Sequence, residues 1–167
     1  SGPEVSIALP STLAGRLLHL EGRLRYKRAD YEAALTAYSD ALSHRRRTHP
    51  GTTDTAETVH HIGATLGRLN RMGESARFMQ EAMQLHRDLL EASTTDDAAR
   101  RRRAALGNLL NSMGVGLIVN RPEAALPYLR QSLDLFLQDS ADPDLDWRIA
   151  TIRQNIGDCL VRLDQWD

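Results

Sequence analysis

Three stretches of this 167-residue chain repeat one pattern of small and large residues, and a chain built that way folds by stacking equivalent units. Gly22 to Leu42 reads GRLRYKRADYEAALTAYSDAL, and Gly63 to Met83 reads GATLGRLNRMGESARFMQEAM. Gly22 and Gly63 lie 41 residues apart, as do Ala34 and Ser75, Ala41 and Ala82, and Leu42 and Met83. Gly114 to Leu133, GVGLIVNRPEAALPYLRQSL, restates the pattern at Ala125-Leu126 and Ser132-Leu133 with one residue fewer in its turn. A fourth start stands at Ile156-Gly157, with Gly157 lying 43 residues after Gly114.

Each unit reads as two helices. Ala34, Leu35, Tyr38, Ala41 and Leu42 fall at i, i+1, i+4, i+7 and i+8, one apolar stripe at helical period. Small residues at Gly22, Ala34 and Ala41 let a neighbouring helix approach, and Tyr38 and Leu42 fill the space between. One helix pair cannot bury its stripe alone, so stacked pairs make a continuous core. Met72, Met79, Met83 and Met113 are expected to fill gaps in that core.

The punctuation places the helices at 11–28, 31–48, 54–70, 73–92, 97–119, 122–138 and 144–164. Ser11-Thr12 and Asp30 are candidate caps, and Arg121-Pro122-Glu123 puts Pro at a helix start. His49 to Asp54, Ser93 to Asp97 and Asp139 to Pro143 are the breaks between units. Residues 1–10 read as a tag remnant or flexible N-terminus, since Ser1-Gly2 stands in place of Met. Residues 11–167 read as one helical repeat domain, with units at 15–50, 54–93 and 97–139 and a partial unit at 144–167.

Aromatic residues are only 5% of the chain, and a core poor in rings and rich in Ala and Leu suits close-packed helices. A net charge of −1 gives the whole molecule no bias toward nucleic acid or a membrane surface. No apolar run approaches the length of a membrane span. Cys159 is the sole cysteine, so no intramolecular disulfide forms, which favours a reducing compartment and a cytoplasmic location.

On these residues the chain resembles the tetratricopeptide repeat. The family's Gly or Ala on the first helix, aromatic near the turn, Ala and aromatic on the second helix, then Ala-Leu, match Gly22, Tyr31, Ala34, Tyr38 and Ala41-Leu42. The long units, with Ala41 to Gly51 reading ALSHRRRTHPG, are similar to the variant of kinesin light chains and related adaptors. Arg25 and Pro122 depart from the family pattern, and an insertion precedes the third unit. The resemblance implies an all-α, right-handed α-α superhelix of three helix pairs plus a seventh helix.

It also implies a concave groove lined by the first helix of each pair. Its polar positions become Arg16, His19, Arg23, Tyr26 and Lys27 in the first unit and His60, His61 and Arg68 in the second. Asn111 and Ser112 follow in the third, and Gln154, Asn155 and Asp158 in the fourth. The family grips peptide backbone with Asn, which both donates and accepts. Arg16, Arg23, Lys27 and Arg68 imply a basic first half suited to acidic peptide side chains.

Other charge-bearing features have plainer readings. Adjacent His60 and His61 point about 100° apart on a helix and lack a partner at i+3 or i+4 for a shared ion, so no metal is expected. Arg100 to Arg103 span a full turn without interleaved aromatics, and Asp96 and Asp97 can pair with Arg100 and Arg101. A solvated helix start is the expectation there. Arg45, Arg46 and Arg47 complement the C-terminal end of their helix.

No phosphate loop, nucleophile elbow, zinc spacing or dinucleotide fingerprint is present in the sequence, so neither enzyme activity nor a cofactor is expected. The expected function is an adaptor or scaffold that binds a peptide or helical segment of a partner protein, without nucleic acid or membrane. The alternative is an oligomerisation or regulatory segment of a larger enzyme or transcription regulator. It would act through the apolar surface of helix 144–164 and the unfinished unit at Trp166-Asp167.

Overall fold

The computed structural model describes residues 11–139 and 146–164, and among them every regular element is an α-helix. The seven are α1 (Ser11–Lys27), α2 (Tyr31–Thr48), α3 (Thr53–Arg68), α4 (Met72–Glu91), α5 (Asp96–Leu117), α6 (Pro122–Leu137) and α7 (Asp146–Arg162). Each end falls within two residues of the boundary expected from the sequence. The Asp139–Pro143 break lies mostly outside the described residues, as do Trp166-Asp167, residues 1–10 and the side chains of Ser11-Thr12.

Local chemistry accounts for the boundaries. The Asp30, Thr52 and Thr95 side chains accept from the main-chain N–H of Ala33, Thr55 and Ala98, three residues on, and so satisfy orphan donors of α2, α3 and α5. Pro122 opens α6, where its missing N–H costs nothing. The turns repeat as faithfully as the side chains do. Ala29 and Asn70, 41 residues apart, both take the left-handed conformation, with φ 60° and 59°. The following N–H groups of Asp30 and Arg71 reach back to the carbonyls of Arg25 and Leu66 at 3.0 and 2.9 Å. In the third unit, one residue shorter, Arg121 N–H donates to Leu117 at 2.8 Å instead.

Each helix packs on the next, most extensively within α1/α2, α3/α4 and α5/α6, and α3 also touches α5. The small residues set these distances. A Cβ at Gly22 would stand 2.6 Å from the Tyr38 ring, at Gly63 3.0 Å from the Met79 side chain, and at Gly114 2.6 Å from Leu129. Each glycine thus admits a large side chain from the second helix of its own pair. The main core joins the first three pairs through Tyr38, Leu42, Val59, Ile62, Leu66, Met79 and Leu109. A second cluster, around Ile118, Leu126, Leu129 and Cys159, carries the packing on to α7. Met79 is buried and Met83 and Met113 pack against the core, but Met72 is exposed in the first turn of α4. The expectation that Met72 fills the core is therefore corrected: it precedes the stripe by one turn. No described helix is long and apolar enough to cross a membrane.

Candidate functional site

The first helices touch one another in succession, which brings most of the expected groove residues onto neighbouring turns. Between α1 and α3, Arg68 Nε donates to Tyr26 Oη at 3.3 Å, and the His19 and His61 rings meet edge to face with centroids 5.1 Å apart. Between α5 and α7, Asn155 Nδ2 donates to Asn111 Oδ1 at 2.9 Å. Arg148 Nη1 donates to Asn108 Oδ1 at 2.7 Å one turn away. Asn108 and Arg148 join this row although the sequence reading omits them. Their signal is the placement of Asn108 three residues before Asn111 and of Arg148 seven before Asn155, which puts each pair on one helix face.

Arg16, Arg23, Lys27, Arg68, Gln154 and Asp158 are exposed, and Tyr26, His60, His61, Asn111, Ser112 and Asn155 are half-buried. His19 is buried beneath this surface. Its Nδ1 lies 3.1 Å from Thr58 Oγ1 and 3.3 Å from Arg45 Nη1. Arg45 Nη1 also reaches Thr58 Oγ1 and the main-chain carbonyl of Asp54, and its Nη2 lies 3.7 Å from the Asp54 carboxylate. One buried guanidinium therefore ties the end of α2 to the first turns of α3 and to the middle of α1. Arg45 does more than complement a helix end, which corrects the dipole-only reading of Arg45 to Arg47. The signal missed is position: Arg45 continues the buried stripe of Tyr38 and Leu42 by one turn.

A stack of rings forms the floor between α1, α2 and α3. Tyr38 lies parallel to His61 at 5.2 Å, and His61 parallel to His60 at 5.4 Å. Burial pushes His19 and His60 down to about 3 and His61 down to about 4, with neighbouring imidazoles and guanidinium groups adding to the shift. Burial pushes the Tyr38 phenol up to about 12. These groups are therefore neutral near pH 7. Glu57, on α3, completes the setting. Desolvation of its carboxyl, reinforced by Asp54, raises its affinity for a proton, and Arg45 and Arg23 oppose this. Glu57 thus sets one carboxyl within electrostatic reach of Arg45 and Arg23.

The arginine run on α5 divides its duties. Arg102 Nη1 donates to Ser93 Oγ at 2.9 Å and to the Leu89 carbonyl. Arg103 forms a two-pronged pair with Asp139 at 2.7 and 2.8 Å. Arg101 pairs with Asp97 one turn back. Arg102 and Arg103 are inter-helix staples rather than members of a solvated start, a correction to that part of the reading. Among the described residues, no three of His, Cys, Asp and Glu converge as metal ligands. Cys159 is buried and its thiol points to the Pro122 carbonyl at 3.0 Å. Comparison with protein-family models and with curated proteins found no match.

Proposed function

We propose that the chain is a tetratricopeptide-type superhelix that binds an extended, acidic peptide along the face of its first helices. The observation that carries this reading is the Asn111–Asn155 bond. It uses one donor and one acceptor and leaves the Asn111 amide N–H groups and the Asn155 carbonyl oxygen for a ligand. A peptide bond needs one donor and one acceptor in that arrangement. At the other end of the face, Arg16, Arg23, Lys27 and Arg68 offer charge-assisted hydrogen bonds to carboxylates. The ring stack of Tyr38, His61 and His60 gives the floor between them shape rather than charge.

A displayed library of extended peptides, selected on the full chain, tests the reading. Enriched peptides should carry Asp or Glu at the end that meets Arg23 and Arg68. Asn111→Ala with Asn155→Ala should weaken their binding about tenfold or more, because the ligand's backbone groups lose partners. Far-UV circular dichroism should not change. Enrichment without acidic bias, or full affinity in the double variant, sinks this reading.

A second reading, a regulatory or assembly segment, draws on α7. Trp147 and Val161 are 61% and 40% exposed there, and no described residue stands within 4 Å of a Cβ built at Gly157. The three equivalent glycines are each filled by a large side chain. The face of α7 is therefore shaped for another helix, which a second domain or a partner would supply.

A further inference from the structure

The outer face of α1 carries an apolar seam that no described element covers. Leu13, Leu17, Leu20 and Leu24 are 37%, 47%, 52% and 50% exposed. Their spacings of four, three and four residues are those of the d and a positions of a heptad. Gly15 and Gly22 fall at the opposite f position, and there they press on Arg45 and Tyr38 of α2. The domain thus lies behind α1 and leaves the seam clear.

We propose that this seam pairs with the same seam of a second copy, in parallel and in register, as a two-heptad knobs-into-holes contact. The charges flanking the seam select that occupant. Arg16 and Arg23 stand at g and Glu21 at e, where one Glu21 oxygen accepts from Arg25 of its own helix at 2.7 and 2.9 Å and the other is left for a partner. In a parallel pair a g residue meets the e residue five positions on, so Arg16 of each copy meets Glu21 of the other, once on each edge, and the peptide face keeps Arg23, Lys27 and Arg68. An antiparallel pair would set Arg16 against Arg23 twice. Lys27 takes the next d position and ends the seam. Two heptads are too short to hold free helices together, but α1 is already ordered by α2 and spends nothing on folding when it pairs.

Sedimentation equilibrium of the full chain, up to about 100 µM, tests the proposal. A dimer is expected, and Leu20→Lys with Leu24→Lys should convert it to monomer with unchanged helicity, since both positions are exposed. Arg16→Glu should weaken the dimer about tenfold, and Arg16→Glu with Glu21→Arg should restore it. Leu20→Cys should oxidise to a covalent dimer, because residue 20 faces its own copy only in a parallel, in-register pair. A monomer at the highest concentration overturns the proposal, whether residues 1–10 or nothing covers the seam. So does a dimer that survives Leu20→Lys with Leu24→Lys but falls apart on Val161→Lys. Failure of residue 20 to cross-link in a dimer overturns the parallel arrangement.

Discussion

Gly22 of α1 and Tyr38 of α2 occupy one space: the ring carbons of Tyr38 lie 2.6 Å from where a side chain at residue 22 would begin. Gly114 and Leu129 repeat the arrangement at 2.6 Å, whereas no described residue comes within 4 Å of the equivalent position at Gly157. Gly22→Ala should therefore destabilise the fold by about 1–3 kcal/mol, since Tyr38 is wholly buried and cannot step aside. Gly157→Ala should stabilise it by about 0.5–1 kcal/mol, because a mid-helix glycine is replaced with no clash. Urea titrations of both variants read the difference directly. Equal effects at the two sites would show that the glycine pockets do not set helix spacing.

Arg45 is the next test of what joins the first two pairs. It is buried, and its guanidinium serves His19, Thr58 and two groups of Asp54. Arg45→Ala strips those partners of their donor and opens a void, a loss of about 2–4 kcal/mol. Arg45→Lys should recover only part of it, because an ammonium lacks the planar fork. Arg47→Ala, at an exposed position two residues on, should change stability by less than about 0.5 kcal/mol. Thermal melts of the three variants rank them. If Arg45→Ala matches Arg47→Ala, the buried cluster carries no stability.

The contrast between Arg45 and Arg47 also shows what sequence could and could not reveal. Helix ends were readable because Asp30, Pro122 and the His49-Pro50-Gly51 break act locally, through caps and missing donors. The glycine pockets were readable because their spacing recurs with the unit. Depth was not readable. Period 3.6 says which side of a helix is inward, but whether a polar residue on that side is exposed or buried depends on the neighbouring helix. His19 and Arg23 sit one turn apart on α1, yet Thr58 and Arg45 close over the first and leave the second in solvent. The seam of Leu13, Leu17, Leu20 and Leu24 is legible as a heptad, but only three-dimensional packing shows that α2 leaves it open. For Asn108 and Arg148 the helix face was legible but the pairing was not, because the two lie 40 residues apart.

The histidines make the fold sensitive to acid. Burial holds His19 and His60 near 3 and His61 and His86 near 4, against 6.5 for an ordinary imidazole. In His19 the geometry agrees with the direction, since a proton on Nδ1 would face the Arg45 guanidinium 3.3 Å away. The unfolded chain therefore binds more protons than the folded chain between about pH 6.5 and the folded values, and stability falls as pH falls through that range. The stabilisation is fully present above pH 6.5 and is lost progressively toward pH 3 to 4. Each histidine can contribute a slope of up to about 1.4 kcal/mol per pH unit. Glu57, raised by desolvation, works in the opposite sense and offsets a fraction. Between pH 7 and pH 5 each histidine held this low should cost up to about 2 kcal/mol, so that Tm falls by several degrees at least. The carboxylates held low by arginine, such as Asp139, begin to act only below that range. Replacing His60 by Phe, at the outer end of the ring stack, should remove about one proton of uptake on unfolding and flatten the slope accordingly. Calorimetric melts of the full chain at half-unit steps of pH measure this, and a Tm that stays flat from pH 7 to pH 5 would mean that the imidazoles titrate freely in the folded state.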